Sequence, residues 1–180
     1  WATHGVPNEI NAHPHSSEIV SVVHNGIIEN SDELKKDLED SGIKFKSQTD
    51  TEVITLLLTE EIKNETPIRS VQKTLKKLKG SFALGIIFKN FDNLIIGARR
   101  GSPLAVGYAK DENYLGSDSY ALKSMTNKIS YLDDGDVCVL TKNSVEFYNL
   151  EEKKINKKVH TLSDDKNLAD KGDYKNFMSK

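Results

Sequence analysis

The sequence predicts an α+β fold in which three helices precede a series of antiparallel strands. Helical apolar patterns occupy residues 31–79, whereas residues 81–148 consist of short runs rich in Ile, Leu, Val and Phe that are separated by turns. Helices followed by strands with short connections are typical of layered proteins with antiparallel sheets. The length of 180 residues suits one domain of ordinary size.

Each of the three helices has recognisable start and stop signals. The first is predicted to begin near Ser31 and to end before Gly42. The second opens at Thr49–Glu52, a Thr-x-x-Glu capping box, and carries an apolar stripe at helical spacing. The third has Thr66 as its cap and a proline in its first turn, and it ends before Gly80.

Strands are expected where short apolar runs lie between turn signals. One is predicted before the helices, at residues 18–23, and the Asn25-Gly26 pair follows it as a turn signal. The others are predicted at residues 81–89, 93–99, 104–108, 114–117, 137–141, 144–148 and 157–162. Residues 163–180 lose the apolar pattern and are predicted to form a polar surface segment.

Composition excludes several classes of function. The net charge of −2 argues against a nucleic-acid partner, because neutralising phosphates requires a basic excess. No run of about 18 apolar residues is present, so we expect no membrane partner. The single cysteine, Cys138, cannot form an internal disulfide, which favours a cytoplasmic location. It lies in an apolar strand and is expected to be an inert core residue.

Four of the five histidines fall within the first 24 residues: His4, His13, His15 and His24. They could bind a metal ion, bind a polar substrate, or be ordinary loop residues. Metal sites usually bring a helical His-x-x-x-His or paired cysteines at fixed spacing, and neither pattern is present. A metal is therefore the minor interpretation, and we expect no cofactor.

The His24-Asn25-Gly26 segment has two interpretations. Asn-Gly is the commonest signal of a two-residue hairpin turn. Alternatively, the Asn25 amide and the Gly26 N–H could form an oxyanion hole, since two donors directed at one oxygen stabilise acyl-transfer transition states. Local sequence favours the hairpin, but a hairpin needs a matching strand, and residues 27–30 lead quickly into a helix. This weakens the hairpin interpretation.

Asp50 lies within the predicted capping box. A carboxylate in a first turn interacts favourably with the helix dipole, and spacing alone favours this structural role. The functional alternative is a carboxylate that the helix end holds rigidly for pairing with a substrate ammonium group.

These segments, taken together, resemble one family. The segments occur in the same order as in the amino-terminal class II (N-terminal nucleophile) amidotransferase domain of glutamine–fructose-6-phosphate aminotransferases, which the chain resembles. The similarity covers essentially the whole chain. The segments that carry it are Trp1–Gly5, Asn11–His15, Val23–Asn30 and Thr49–Ile54, followed by Arg100–Leu104, Ser117-Asp118, Gly135-Asp136, Lys171–Tyr174 and Phe177-Met178.

The resemblance implies a four-layered αββα sandwich that is incomplete at its amino terminus. Residues 1–162 would be the glutaminase domain, and residues 163–180 would lead towards sugar-isomerase domains. The implied reaction is hydrolysis of the glutamine side-chain amide to glutamate and ammonia. The ammonia would then convert fructose 6-phosphate to glucosamine 6-phosphate in a separate domain, and the full-length protein would be a homo-oligomer.

The resemblance also assigns catalytic and amino-acid-binding roles. Asn25, through its side-chain amide, and Gly26, through its backbone N–H, would form the oxyanion hole. Asp50 would pair with the α-ammonium group of glutamine.

Four further positions complete the implied substrate pocket. Thr3 and His4 would belong to a loop that closes over glutamine and holds its α-carboxylate. Trp1 would lie at the mouth of the ammonia passage, and His13 would line the pocket.

The family nucleophile is a cysteine at the mature amino terminus, upstream of the segment that matches Trp1–Gly5. Its α-amine serves as the general base. We therefore expect the 180-residue chain to lack glutaminase activity by itself. We also expect a sheet to lack strands, which would favour pairing with another chain.

Three alternatives remain open at this point. The first is the amidotransferase domain of a purine-pathway phosphoribosyl amidotransferase, which shares the Asn-Gly element. The second is a non-catalytic glutamine-binding module with the same fold. The third is a metal-dependent hydrolase that uses the amino-terminal histidines.

Overall fold

The computed structural model of the chain describes residues 5–162. A short 3₁₀ helix spans Glu9–Asn11. The α-helices are α1 (Ser31–Asp40), α2 (Asp50–Glu61), α3 (Pro67–Lys77) and α4 (Ser119–Leu122). The strands are β1 (His15–Ser16), β2 (Val20–Ile28), β3 (Gly80–Phe88), β4 (Ile95–Arg100), β5 (Ala105–Ala109), β6 (Glu112–Gly116), β7 (Lys128–Tyr131), β8 (Val137–Leu140), β9 (Val145–Tyr148), β10 (Lys154–Ile155) and β11 (His160–Thr161).

The strands form two antiparallel sheets. The larger sheet has the order β1-β2-β3-β4-β8-β9-β10, and the smaller has the order β11-β7-β5-β6. Strand β3 lies between β2 and β4 in the larger sheet. It pairs with β2 along its whole length and with β4 on its other side. Since β3 follows the three helices in sequence, α1–α3 form an insertion between two paired strands.

The sheets and helices stack as four layers, α, β, β and α. Helices α1–α3 share the largest apolar core with the inward side chains of β2, β3 and β4. The second core joins the two sheets, with Val106 of β5 and Cys138 of β8 among its buried members. Leu122 of α4 packs on Ala105 and Ile129 at the outer side of the smaller sheet. The predicted α+β class and the αββα layering are confirmed.

The hairpin interpretation of Asn25-Gly26 is wrong, and so is the predicted end of the strand before it. Strand β2 continues through both residues to Ile28, where the sequence prediction ended it at residue 23. The reason is non-local pairing: Asn25 lies opposite Ala83, and Gly26 lies opposite Phe82. A partner strand more than fifty residues away therefore overrides the local turn signal.

Two glycines allow β2 and β3 to approach each other at this point. Gly26 has a φ of +134°, and a Cβ added there would lie 2.0 Å from the Ser81 carbonyl oxygen. Gly80 has a φ of +105°, and its added Cβ would lie 2.3 Å from the Ile27 carbonyl oxygen. Any side chain at either position would meet the backbone of the neighbouring strand, so the Gly26 backbone is fixed by space as well as by conformation.

The predicted capping box at Thr49–Glu52 also requires correction. Thr49 is the N-cap of α2, but its side chain makes no capping hydrogen bond. The Glu52 carboxylate instead accepts hydrogen bonds from the backbone N–H groups of Lys46, at 2.9 and 3.1 Å, and Ser47, at 2.6 Å. Glu52 therefore holds the loop that leads into α2. Thr66 at the start of α3 likewise makes no side-chain capping bond.

Arg100 at the end of β4 holds the carboxyl end of α3. Its guanidinium donates to the carbonyl oxygens of Leu78, at 2.7 Å, and Leu75, at 3.4 Å. It also lies over the Phe82 ring, 5.1 Å from the centroid. These contacts satisfy carbonyls that the helix end leaves without partners, and they fix the point at which β3 begins beside β2.

One surface of the larger sheet is open around β2. Val22 and Ile28 are buried against the helices, whereas Val23 and Ile27 are nearly half exposed, at 47% and 45%. Ile87 of β3 is 51% exposed. Because side chains alternate across a strand, the exposed residues lie on the face opposite the helices. The described residues leave this part of that face uncovered.

Among residues 5–162, no helix combines the length and the hydropathy needed to cross a membrane.

Replacing Gly26 with alanine is expected to destabilise the chain much more than replacing Gly42. Gly42 has a φ of +86°, but its added Cβ would meet nothing within 4 Å, so Gly42→Ala carries only backbone strain, about 1 kcal/mol. Gly26→Ala adds a collision with the Ser81 carbonyl, for a total of about 3 kcal/mol or more. Urea unfolding followed by circular dichroism measures both variants. Equal losses would contradict the proposed close approach of β2 and β3.

Candidate active site

Asp50 is the buried carboxylate that joins helix α2 to strand β2. It is the first residue of α2 and is only 6% exposed. Its Oδ2 atom accepts a hydrogen bond from the Ile28 N–H at 2.8 Å. The helix N-terminus adds favourable dipole interactions to this charge-assisted bond. Asp50 is therefore held rigidly against β2 at Ile28, which lies two residues from Gly26, and is not directed at bulk solvent.

Thr51, the next residue of α2, lies between two histidine rings. Its Oγ1 atom is 3.1 Å from Nδ1 of His24 and 3.3 Å from Nε2 of His13. His24 is buried, and its Nδ1 atom is also 3.9 Å from Oδ1 of Asp50. Thr51 thus brings His13 and His24 together beside the Asp50 carboxylate.

His15 is fixed by the residues on either side of this group. Its Nε2 atom is 2.9 Å from Oγ1 of Thr49, and its backbone carbonyl accepts from Oγ1 of Thr55 at 3.4 Å. The rings of His13 and His15 contact each other edge to face, with centroids 5.7 Å apart. Residues 13–15 are therefore packed along the first turns of α2.

Threonines at four-residue spacing explain why this segment follows α2. Thr51, Thr55 and Thr59 lie on one face of the helix. The Thr55 and Thr59 hydroxyls each donate to the carbonyl four residues earlier, and Thr59 also donates to the Ser17 hydroxyl at 2.8 Å. The apolar stripe of α2 was predicted but this polar stripe was not, although its i, i+4, i+8 spacing is visible in the sequence.

Burial lowers the pKa of the His13 and His15 imidazoles below the ordinary value of 6.5. At His13 the charge of Asp50 opposes this effect. At His15 the neighbouring His13 lowers the pKa further, while Glu52 and Asp50 raise it. Both histidines are therefore in the neutral form more readily than a histidine with the ordinary pKa of 6.5, so their ring nitrogens can accept hydrogen bonds.

The loop before His13 is attached to the same end of α2. The Asn11 side chain donates to the Val6 carbonyl at 2.8 Å and accepts from the Gln48 N–H at 3.0 Å. The Val6 N–H donates to the Gln48 side chain at 3.3 Å. The chain at residues 5–12 is thereby placed next to the start of α2. The Asn11–Gln48 contact joins residues 37 positions apart and was not predicted from the sequence.

Three predicted substrate-binding residues, Trp1, Thr3 and His4, lie outside the described residues. Their assigned roles remain predictions. The predicted segment at residues 163–180 also lies outside the described part of the chain.

Asn25 and Gly26 lie on β2 between the two contacts that Asp50 makes with this strand. The Asn25 side chain is exposed, whereas the neighbouring His24 is buried. By strand alternation, Asn25 belongs to the open face of the sheet, and His24 belongs to the face that packs on α2. The structure thus brings His13, His24 and Asp50 into one group. The predicted oxyanion-hole residues, Asn25 and Gly26, follow His24 directly on β2.

Metal ligation receives no support from the side-chain arrangement of the described region. Within residues 5–162, no three histidine, cysteine or carboxylate side chains converge in a way that could hold a metal ion.

Cys138 is a core residue of β8. It is fully buried, and burial raises the pKa of its thiol to about 12. A thiol that remains protonated at neutral pH is a poor nucleophile. The structure therefore agrees with the prediction that Cys138 is structural.

Solved structures of amidotransferases share this fold. The glutamine phosphoribosylpyrophosphate amidotransferase from B. subtilis aligns with a TM-score of 0.64 and 23% identity, over 78% of this chain and 31% of that chain. A glutamine aminotransferase class-II domain protein from Silicibacter pomeroyi aligns with a TM-score of 0.56 and 15% identity, over 78% of this chain and 70% of that chain. The layered sandwich is therefore the fold of the class II amidotransferases.

The glutamine amidotransferase domain family matches residues 8–124, a segment that includes both β2 and α2. The chain belongs to this family. The glutamine–fructose-6-phosphate aminotransferases (isomerizing) of Zymomonas mobilis and Mesorhizobium japonicum are 50% and 49% identical to it across the whole chain. The chain spans 30% of the length of each of these relatives.

We expect the Cys138 thiol to be unreactive in the folded chain. An aromatic disulfide reagent should label native protein only as fast as the chain unfolds, because burial and the high pKa together suppress the thiolate. In urea the same sample should release one equivalent of thiol, from its single cysteine. Rapid stoichiometric labelling of native chain would contradict the structural role.

Stability is expected to decrease as the pH falls below 6.5. A histidine whose pKa is lower in the folded chain binds its proton more readily after unfolding, so the free energy of unfolding falls with pH from 6.5 down to the folded pKa. Replacing both His13 and His15 with asparagine should flatten this dependence, as measured by urea midpoints at about pH 7.5 and about pH 5.5. The matched control is the exposed His160→Gln, which should leave the slope unchanged. An unaltered slope in the double variant would count against these two histidines as its source.

Proposed function

We propose that this chain is the glutaminase domain of a glutamine–fructose-6-phosphate aminotransferase. As part of the longer protein, this domain takes part in hydrolysing the side-chain amide of glutamine, and the rest of the protein uses the ammonia to aminate fructose 6-phosphate; the 180 residues alone are expected to be inactive. The 50% identity to such an enzyme over the whole chain supports this assignment. The likeness to purine-pathway amidotransferases is weaker, at 23% identity, and supports the shared fold alone.

The observation that carries the proposal is the position of Asp50. A buried carboxylate bonded to β2 at Ile28, two residues beyond Gly26, is suited to hold the α-ammonium of an amino acid. In this proposal the far end of the amino acid extends to the opposite face of the strand, where the Asn25 side chain lies. Its Oδ2 accepts a hydrogen bond from the Ile28 N–H, and we assign the contact with the ammonium group to Oδ1. Charge-assisted pairing of this type is strong in a partly desolvated site.

We assign the oxyanion hole to Asn25 and Gly26. The Asn25 amide is exposed on the open face of the larger sheet, and the Gly26 backbone is fixed by its close approach to Ser81. A rigid N–H and an amide donor directed at a developing oxyanion are worth about 3–4 kcal/mol each in comparable sites. Burial excludes Cys138, the single cysteine of this chain, as the nucleophile of this reaction.

The remaining pocket assignments follow from the same proposal. The family resemblance assigns Thr3 and His4 to the α-carboxylate of glutamine and Trp1 to the mouth of the ammonia passage. His13 lines the pocket beside Asp50. Residues 1–162 form the glutaminase domain, and residues 163–180 lead towards the sugar-isomerising part.

Replacing Asp50 with asparagine in the full-length protein is expected to raise KM for glutamine by about 10- to 100-fold, the loss expected for one charge-assisted hydrogen bond. The kcat should change much less, since the α-ammonium is held equally in the ground state and the transition state. Asparagine keeps an oxygen that accepts from the Ile28 N–H, so the fold is preserved. Glutaminase kinetics measure both constants.

The matched control is Asp32→Asn, an exposed carboxylate in the first turn of α1. It should leave KM unchanged. A glutamine analogue that lacks the α-amino group provides a second comparison: the parent enzyme should bind it poorly, and the Asp50→Asn variant should hardly distinguish it from glutamine. A variant that retains the full preference for the α-amino group would contradict the role of Asp50.

A further inference from the structure

The Thr51 hydroxyl links two imidazole rings through one oxygen atom. It lies 3.1 Å from Nδ1 of His24 and 3.3 Å from Nε2 of His13, and both contacts are compatible with hydrogen bonds. A hydroxyl has one proton to donate and two lone pairs to accept with. If both rings are neutral, Thr51 donates to one ring and accepts from the other. The two histidine tautomers are therefore not independent.

Asp50 selects between the two arrangements. Its Oδ1 atom is 3.9 Å from the same Nδ1 atom of His24 that contacts Thr51. A proton on Nδ1 places the positive end of an N–H dipole near the carboxylate, whereas a lone pair there would face a negative charge. The favoured arrangement has the His24 Nδ1–H donating to Thr51. Thr51 then donates to Nε2 of His13, and His13 carries its own proton on Nδ1.

The charged and titratable groups around these rings are compatible with a neutral His13. His13 faces Asp50 across the site and contacts His15 at its edge, and His15 in turn lies near Glu52. The net effect of this environment is a lowered His13 pKa, in which burial is the largest cause. A ring nitrogen that accepts a hydrogen bond from Thr51 is therefore available around neutral pH.

We propose that Thr51 is a positioning residue of the glutamine site, which fixes His24 with its Nδ1–H towards the Asp50 carboxylate. By holding that dipole in place, Thr51 orients Oδ1 of Asp50 for the α-ammonium group and couples the loop at His13 to the carboxylate. This inference rests on the proposed role of Asp50 in binding glutamine. Thr51 itself does not contact the reacting amide.

The first test observes the tautomers directly. In the chain labelled with ¹⁵N-histidine, we expect NMR to show His24 and His13 each protonated on Nδ1, with Nε2 of His13 accepting a hydrogen bond. Thr51→Val removes the hydroxyl at nearly constant volume, and it should shift the His13 Nε2 signal and return this ring towards a mixture of tautomers. Thr51→Ser should restore the parent spectrum. A His24 protonated on Nε2 in the parent, or rings unaffected by Thr51→Val, would overturn the proposal.

The matched control is Thr55→Val, one turn further along α2. Thr55 is equally buried, and its hydroxyl bonds to the carbonyls of Thr51 and His15 but to neither ring. Thr55→Val therefore loses two hydrogen bonds, as Thr51→Val does, but it should leave the tautomers of His13 and His24 unchanged. If Thr55→Val moved the His13 and His24 signals as strongly as Thr51→Val, the effect would be general loosening of α2, and the proposal would fail.

The second test measures glutaminase kinetics in the full-length protein. Thr51→Val is expected to raise KM for glutamine about three- to tenfold with kcat nearly unchanged, as for the loss of one neutral hydrogen bond that supports ground-state binding. Thr51→Ser should behave like the parent. A parent-like KM in Thr51→Val would overturn the positioning role. If the tautomers follow the proposal but Asp50→Asn leaves KM unchanged, the glutamine-binding role of Asp50 fails and the hydrogen-bond network stands.

Discussion

The hydrogen bond from the Ile28 N–H to the Asp50 carboxylate is the interaction on which the site depends. A carboxylate on a residue that is only 6% exposed would be costly without partners, and the strand N–H and the helix N-terminus supply them. The same bond fixes the start of α2 against β2, the strand that carries His24, Asn25 and Gly26. Helix, strand and carboxylate are consequently held as one unit.

Neighbouring polar side chains maintain this unit from both sides. Glu52 holds the loop that precedes α2 by accepting from two backbone N–H groups, and Asn11 attaches the amino-terminal loop to Gln48. The threonine face of α2 binds the segment that contains His13 and His15. The outcome is a rigid frame around Asp50, made from segments that are distant in sequence. Preorganisation of this type lowers the entropic cost of orienting a small polar substrate.

Much of the fold could be predicted from periodicity, because α1, α2, α3 and the longer strands bury apolar side chains at regular spacing. The two-residue strands β1, β10 and β11 are too short to have a period of their own, and β1 and β10 were not predicted. The four-residue strand β7 was not predicted either. Asn25-Gly26 resembled a turn because its partner strand, β3, lies beyond three helices in the sequence. Asp50 was identified through family resemblance, but the bond to Ile28 spans 22 positions and could not be derived from local sequence. The role of Thr51 was missed for the same reason, since its two histidine contacts span 27 and 38 positions.

A crystal structure of the full-length protein with L-glutamate bound tests the central claim most directly. The account predicts that the ligand ammonium lies within about 3 Å of Oδ1 of Asp50, while Oδ2 keeps its bond to the Ile28 N–H. It also predicts that the side-chain carboxyl group of the ligand reaches the Asn25 amide and the Gly26 N–H. A ligand whose ammonium group binds elsewhere, with Asp50 making only its contacts to β2, would show that this carboxylate is a structural support and not part of an amino-acid site.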